Sequence, residues 1–239
     1  MAALLGSDTD GRAARRAFLL NALVAWVGVA LTVAISAANG YVASAPVAGM
    51  YGVHPAGAPG VLSRVADTLS YFTIWSNIVV AISASLVARG ARGTTPERVL
   101  RLDAVLMITI TAIVYQVLLA PTTTVVGWSR LTDPILHVLT PLLTVLVWLA
   151  YGPRGWIGAR TVVLSLALPL GWIAWMLARG AVVGAYPYDF ANVTVHGYGA
   201  VTFTLALILV FGVVVAGVYW GIDVVLRRRS SAAAKNAVA

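Results

Sequence analysis

The chain has 239 residues, of which 60% are hydrophobic and only 10% charged. Soluble domains carry about 25% charged residues, so most of this chain does not face water, and these residues leave no room for an added soluble domain. The net charge of +8 comes from fifteen arginines and one lysine set in short stretches beside apolar runs. That pattern belongs to membrane topology rather than to nucleic-acid binding. With no cysteine, disulfides, thiolate nucleophiles and cysteine-ligated metals are excluded.

Several apolar runs reach the roughly 18 residues needed to cross a hydrocarbon core of ~30 Å. The predicted fold class is therefore an all-α polytopic integral membrane protein with six transmembrane helices. Residues 1–17 read as a polar tail, 18–226 as a single six-helix domain, and 227–239 as a basic tail. Span one covers about Phe18–Ala38. Its 21 residues exceed the roughly 7–15 of a secretory signal's apolar region, so it reads as a retained span. A Gly/Pro/Ala-rich loop follows from Asn39 to Asp67, irregular by composition, with His54 read as solvated. Span two covers about Leu69–Val87. Thr95-Pro96-Glu97 reads as an N-cap with proline at the first helical position, opening span three, which ends at Leu119-Ala120-Pro121. The loop Pro121–Pro134 leads to span four, about Ile135–Ala150. Span five covers about Thr161–Leu177 with Pro169 in its middle, and span six about Tyr198–Val225. Trp128, Trp156, Trp172, Trp175, Tyr186 and Tyr188 read as an interfacial aromatic belt. Asp103 and Asp223 are expected to pair with nearby arginines. There is no internal repeat of the inverted-repeat transporter kind.

With the N-terminus placed inside, the inner segments hold thirteen Lys and Arg and the outer loops three: Arg64, Arg130 and Arg179. This bias predicts both termini in the cytoplasm and a multi-pass plasma-membrane location. The same topology gathers polar residues at one depth near the outer surface. Ser70, Thr73 and Asn77 are spaced i, i+3, i+7 on span two, and Asp133, His137, Thr140 and Thr144 i, i+4, i+7, i+11 on span four. Each set falls on one helix face. Span three brings Tyr115 and Gln116 to the same level, and span six begins beyond Asn192 and His196. Polar stripes on membrane helices point into the bundle, so a polar cavity is expected there, with Pro141 breaking span four one turn beyond His137.

A hydroxyl beside an imidazole is the minimum for nucleophilic acyl transfer. Thr73 is the candidate nucleophile, His137 the base and Asp133 the group that fixes the imidazole tautomer. Asn77, Ser76, or a backbone N–H would stabilise the oxyanion, and Gln116, Tyr115 and His196 complete the candidate substrate-contacting set. No elbow, zinc or carboxylate-cluster motif accompanies them. Other readings of the same residues stand beside this one. Thr73 would bond back to its own helix carbonyl, and the polar stripes would hold together a non-enzymatic binding or regulatory protein. A third reading pairs His137 with His196 as haem ligands. The preferred reading needs no cofactor and no metal, and its partners are membrane lipids and a lipid-like substrate, not nucleic acid.

Tyr71-Phe72-Thr73 with Ser76-Asn77, Asp133-x-x-x-His137-x-x-x-Pro141, Tyr186-Pro187-Tyr188-Asp189-Phe190 and Gly197-Tyr198 resemble a set of bacterial six-span proteins of unknown function. These are in turn distantly similar to the androgen-induced-gene family, with the androgen-dependent TFPI-regulating protein. The resemblance implies six-span threonine hydrolases of fatty acid esters of hydroxy fatty acids. It places Thr73 and His137 on the family's functional threonine and histidine, with Pro141 as the proline that follows. It covers the six-span layout and about fifteen residues. The long Pro-rich loop Asn39–Asp67 and Asp133-Pro134 depart from it, and the substrate is not carried over.

Overall fold

The computed structural model describes residues 11–42, 45–55, 57–122 and 124–236; most of the predicted N-terminal tail lies outside them. The described residues form helices α1 (Arg12–Ala37), α2 (Val61–Thr68), α3 (Phe72–Ala88), α4 (Thr95–Val114), α5 (Ser129–Pro134), α6 (Thr140–Tyr151), α7 (Ala159–Leu164), α8 (Ala167–Val183) and α9 (Val193–Asn236). One isolated bridge between Met50 and Tyr186 is the only β pairing among them. Five helical stretches are long and apolar enough to cross a membrane, and a sixth is made by Ala58–Thr68 with Phe72–Ala88, bent by 72°. The chain is an all-α polytopic membrane protein.

Three spans differ from expectation for local reasons. Span four starts at Ser129, so Asp133 and Pro134 are helical rather than in a loop. Span five breaks at Ser165–Leu166, where Pro169 has no N–H to give the carbonyl of Ser165 four residues earlier. Span six reaches from Val193 to Asn236, interrupted only at Gly197, whose φ of 74° and ψ of 162° no helix contains. Span three keeps its predicted start, but the cap is Thr94: its N–H donates to Glu97 Oε2 at 2.8 Å and its hydroxyl to the same atom at 2.9 Å. The loop Asn39–Asp67 is not wholly irregular, since it contains α2.

The helices alternate in direction, so α1, α4 and α8 run towards one end of the bundle and α3, α6 and α9 away from it. Ala25, Ala81 and Ala104 are fully buried where α1, α3 and α4 meet, together with Val80, Met107 and Ile108. Lipid offers no hydrophobic drive for helices to associate, and small side chains that allow close backbone approach do that work instead. Leu19, Leu23, Phe203, Leu207 and Val210 point outward, as lipid-facing residues do.

The end where α3 begins is closed by polar ties. Arg64 on α2 is buried, and its guanidinium donates to the carbonyls of Ser36 (3.1 Å), Ala37 (3.1 Å), Gly57 (3.1 Å) and Pro55 (3.4 Å). It thereby caps the free carbonyls at the end of α1 and fixes the loop over them. Asp67 pairs with Arg179 of α8 at 2.5 Å and with His54 at 3.3 Å. His54, expected in solvent, also contacts Ser63 Oγ at 3.1 Å. Residues 49–51 pair with Tyr186 through Tyr186 N to Gly49 O (2.8 Å) and Tyr51 N to Tyr186 O (3.1 Å). The loops before α2 and before α9 therefore form one cover. At the opposite end, Asp223 accepts from the backbone N–H groups of Gly155 and Ile157 rather than from an arginine. Asp103 is buried with neither carboxylate oxygen hydrogen-bonded.

Candidate active site

Thr73 is the second residue of α3, just past the 72° bend that separates it from α2. Its Oγ1 lies 3.2 Å from His137 Nε2. The other ring nitrogen, Nδ1, lies 3.0 Å from Asp133 Oδ1 and 3.2 Å from the Asp133 carbonyl. With the proton on Nδ1, donated to Asp133, Nε2 accepts from the Thr73 hydroxyl. The candidate nucleophile, base and orienting carboxylate stand in hydrogen-bonded sequence, with the geometry of a hydrolytic triad.

The helix that carries His137 is not regular. Ile135–Leu139 form a π turn immediately before Pro141, and Tyr115–Leu119 of the α4 continuation form another immediately before Pro121. A proline removes one helical N–H donor and crowds the preceding turn. The widened turn is one way the chain absorbs this, and such turns recur at functional sites. Both π turns hold site residues. The Tyr115 ring stacks on the His137 imidazole with centroids 3.9 Å apart and planes at 14°. The Tyr115 hydroxyl donates to Asp133 Oδ2. Asp133 thus accepts from His137 on one oxygen and from Tyr115 on the other, which locks the carboxylate in place.

On the other side of Thr73 stands Tyr188, from the cover loop before α9. Its hydroxyl is 3.4 Å from the Thr73 N–H, which donates to it, and 3.5 Å from Thr73 Oγ1. Burial pushes the Tyr188 phenol above its ordinary range, against the opposing effect of the Thr73 contacts. It therefore keeps its proton and remains a donor. Its ring is held edge-on by Tyr71 (5.5 Å) and face-on by Phe190 (5.2 Å, 5°). The belt reading of Tyr186, Tyr188 and Trp172 is corrected here: all three are buried. Trp172 Nε1 donates to Ser70 O at 3.0 Å, whereas Trp128 and Trp175 are exposed.

No protein-family model, curated protein or solved structure matches this chain.

The other expected site residues sit elsewhere. Asn77 spends its amide N–H groups on the carbonyls of Thr73 (2.8 Å) and Leu136 (3.3 Å), bracing α3 against the His137 helix rather than facing a reaction centre. Ser76 contacts Thr111 Oγ1 at 2.8 Å and donates to Thr73 O at 2.9 Å. Gln116 is exposed. His196 lies outside the triad, with Nε2 3.4 Å from Asp189 Oδ2. Both His137 nitrogens are engaged by Thr73 and Asp133, so haem ligation there requires breaking one of those contacts. Ser70 faces α8 instead of sharing Thr73's surroundings: its hydroxyl accepts from Trp175 Nε1 at 3.1 Å.

Thr73, Tyr115 and Tyr188 also form part of the wall of a pocket that runs between α4, α8 and α9. It encloses about 730 Å³ of empty space, its open side included. Beyond these hydroxyls and Thr111, its lining is apolar apart from the Trp172 ring.

Proposed function

We propose that the protein is an intramembrane hydrolase of lipid esters, with Thr73 as nucleophile and His137 as general base and acid. What supports this reading is the 3.2 Å approach of Thr73 Oγ1 to His137 Nε2, with Asp133 on the far nitrogen, where Thr73 forms part of the wall of an apolar pocket. Packed hydroxyls would serve a scaffold equally well, but a triad whose Thr73 borders an apolar pocket serves ester chemistry.

In this reading Thr73 Oγ1 attacks the ester carbonyl as its proton passes to His137 Nε2. Asp133 stabilises the imidazolium that results. The tetrahedral oxyanion accepts a hydrogen bond from Tyr188, whose hydroxyl lies 3.5 Å from Thr73 Oγ1. Collapse breaks the ester C–O bond, and His137 returns the proton to the leaving alkoxide. Water then attacks the Thr73 acyl ester, giving up its proton to His137. The carboxylic acid departs and Thr73 recovers its hydroxyl proton.

The charge bias further supports a plasma-membrane orientation with the arginine-rich end and both termini in the cytoplasm, which puts the triad in the outer leaflet. Substrate then enters from lipid rather than from water. Purified protein in detergent is expected to cleave p-nitrophenyl esters and to label with a fluorophosphonate probe. Both activities should be lost in Thr73→Ala and in His137→Ala. Labelling that persists in both variants contradicts the assignment.

A further inference from the structure

We propose that the pocket behind Thr73 is the slot for one extended acyl chain of about ten carbons, and that Gly212 keeps its deep end open. This rests on the hydrolase reading and names what that site selects. The pocket has a polar end and an apolar end. Because α4 and α9 run in opposite directions, the order of lining residues along each helix gives the pocket its axis. On α4 the wall is the face of Leu106, Ile110 and Val114 with Thr111 beside it, and Tyr115 and Leu119 beyond; on α9 it is Leu205, Leu209 and Gly212, with Ile208 beside them. Tyr115 and Leu205 stand at the Thr73 end and Leu106 at the other, with Gly212 beside Ile110 one turn short of it. One face per helix makes one column.

Nine residues separate Tyr115 from Leu106, a rise of about 13 Å along a helix. At ~1.5 Å per carbon–carbon bond, zigzagged, about ten carbons cover that distance. Below the hydroxyls of Thr73, Tyr115 and Tyr188, the one further hydroxyl in the wall, Thr111, is already engaged with Ser76. Nothing deeper in the slot can bind a head group. The chain lies tail inward, with the ester carbonyl at the polar end beside Thr73.

Gly212 is buried, and a Cβ placed there would meet Ile110 Cδ1 at 3.3 Å. α9 therefore comes within contact of α4 at Ile110, one turn short of Leu106, and the missing side chain keeps the column open past that point. A larger residue at this position shortens the column.

The test is the chain-length profile of kcat/KM for p-nitrophenyl esters from acetate to palmitate, using the full-length protein in detergent. The wild type should peak near decanoate. Gly212→Leu should move the peak to hexanoate or shorter and lower the decanoate-to-butyrate ratio by about tenfold or more. Leu209→Ala, which removes bulk from the same wall, should move the peak to longer chains. Binding is read separately in Thr73→Ala protein, where a bromine-labelled decanoic acid should quench the fluorescence of Trp172, with Trp172→Phe as control. Quenching that Gly212→Leu abolishes, in a protein whose wild type shows no esterase activity, keeps the slot and removes the hydrolase reading. Esterase activity whose profile neither variant moves keeps the hydrolase and overturns the slot.

Discussion

At the scale of single residues, the proposed hydrolase site divides into groups that react and groups that hold. Thr73→Ala and His137→Ala should lower ester turnover by about 10,000-fold or more, because members of a triad act as a unit. Asp133→Asn should cost about 100- to 10,000-fold by leaving the imidazole in the wrong tautomer. Tyr188→Phe should lower kcat by about 100-fold with KM little changed, since an oxyanion donor acts only in the transition state. Steady-state kinetics on a soluble ester check all four. The meeting of Thr73, His137 and Asp133 was legible in the sequence because spacing put Asp133 one turn before His137, and topology put both level with Thr73. Tyr188 was not, because an aromatic near a span end carries the same signature whether it faces lipid headgroups or the bundle interior. Only the packing against Tyr71 and Phe190 distinguishes the two. Asn77 failed as an oxyanion donor for a related reason. Helical periodicity fixes the face a side chain leaves from, not the carbonyls that claim its N–H groups.

At the scale of elements, the site depends on two joints. The first is the bend between α2 and α3, secured by Arg64 and Asp67. Hydrogen bonds to charged groups contribute about 1.5–3 kcal/mol each, so Arg64→Ala should destabilise the protein by about 3 kcal/mol or more. Thermal unfolding in detergent should show a clearly lowered midpoint. The second joint is the cover loop that delivers Tyr188. Gly180 of α8 leaves room for the Tyr186 ring, which a Cβ would meet at 2.0 Å. Gly180→Ala should therefore displace Tyr186 and the neighbouring Tyr188, lowering turnover by about 100-fold although the triad residues are intact. The α2 helix is only 8 residues long and was read with the Gly/Pro/Ala-rich stretch before it, although Val61, Val65 and Leu69 are four apart; the pairing of the cover loops carries no sequence signal. The two π turns were equally hidden: Pro121 and Pro141 announce a break, but not that the chain widens before them.

At the scale of the whole molecule, the apolar spans and their order were readable from hydropathy alone, since lipid demands helices of a set length. Orientation remains a matter of charge. The chain has no cysteine, so single cysteines can be introduced on a clean background. A cysteine at Gly127 or Gly184, between spans at the triad end, should react with a membrane-impermeant maleimide in intact cells. One at Gly90 or Gly155 should react only after permeabilisation. The reverse pattern would place the triad in the inner leaflet and overturn the proposed orientation.

The most direct test of the central claim is where a fluorophosphonate attaches. The choice is not trivial, because Ser63 also contacts a histidine, His54, that in turn contacts Asp67. Mass-spectrometric mapping of the labelled protein should find the phosphonyl group on Thr73, absent from His137→Ala and retained in Ser63→Ala. An adduct on Ser63, or labelling that survives in Thr73→Ala, would contradict the account.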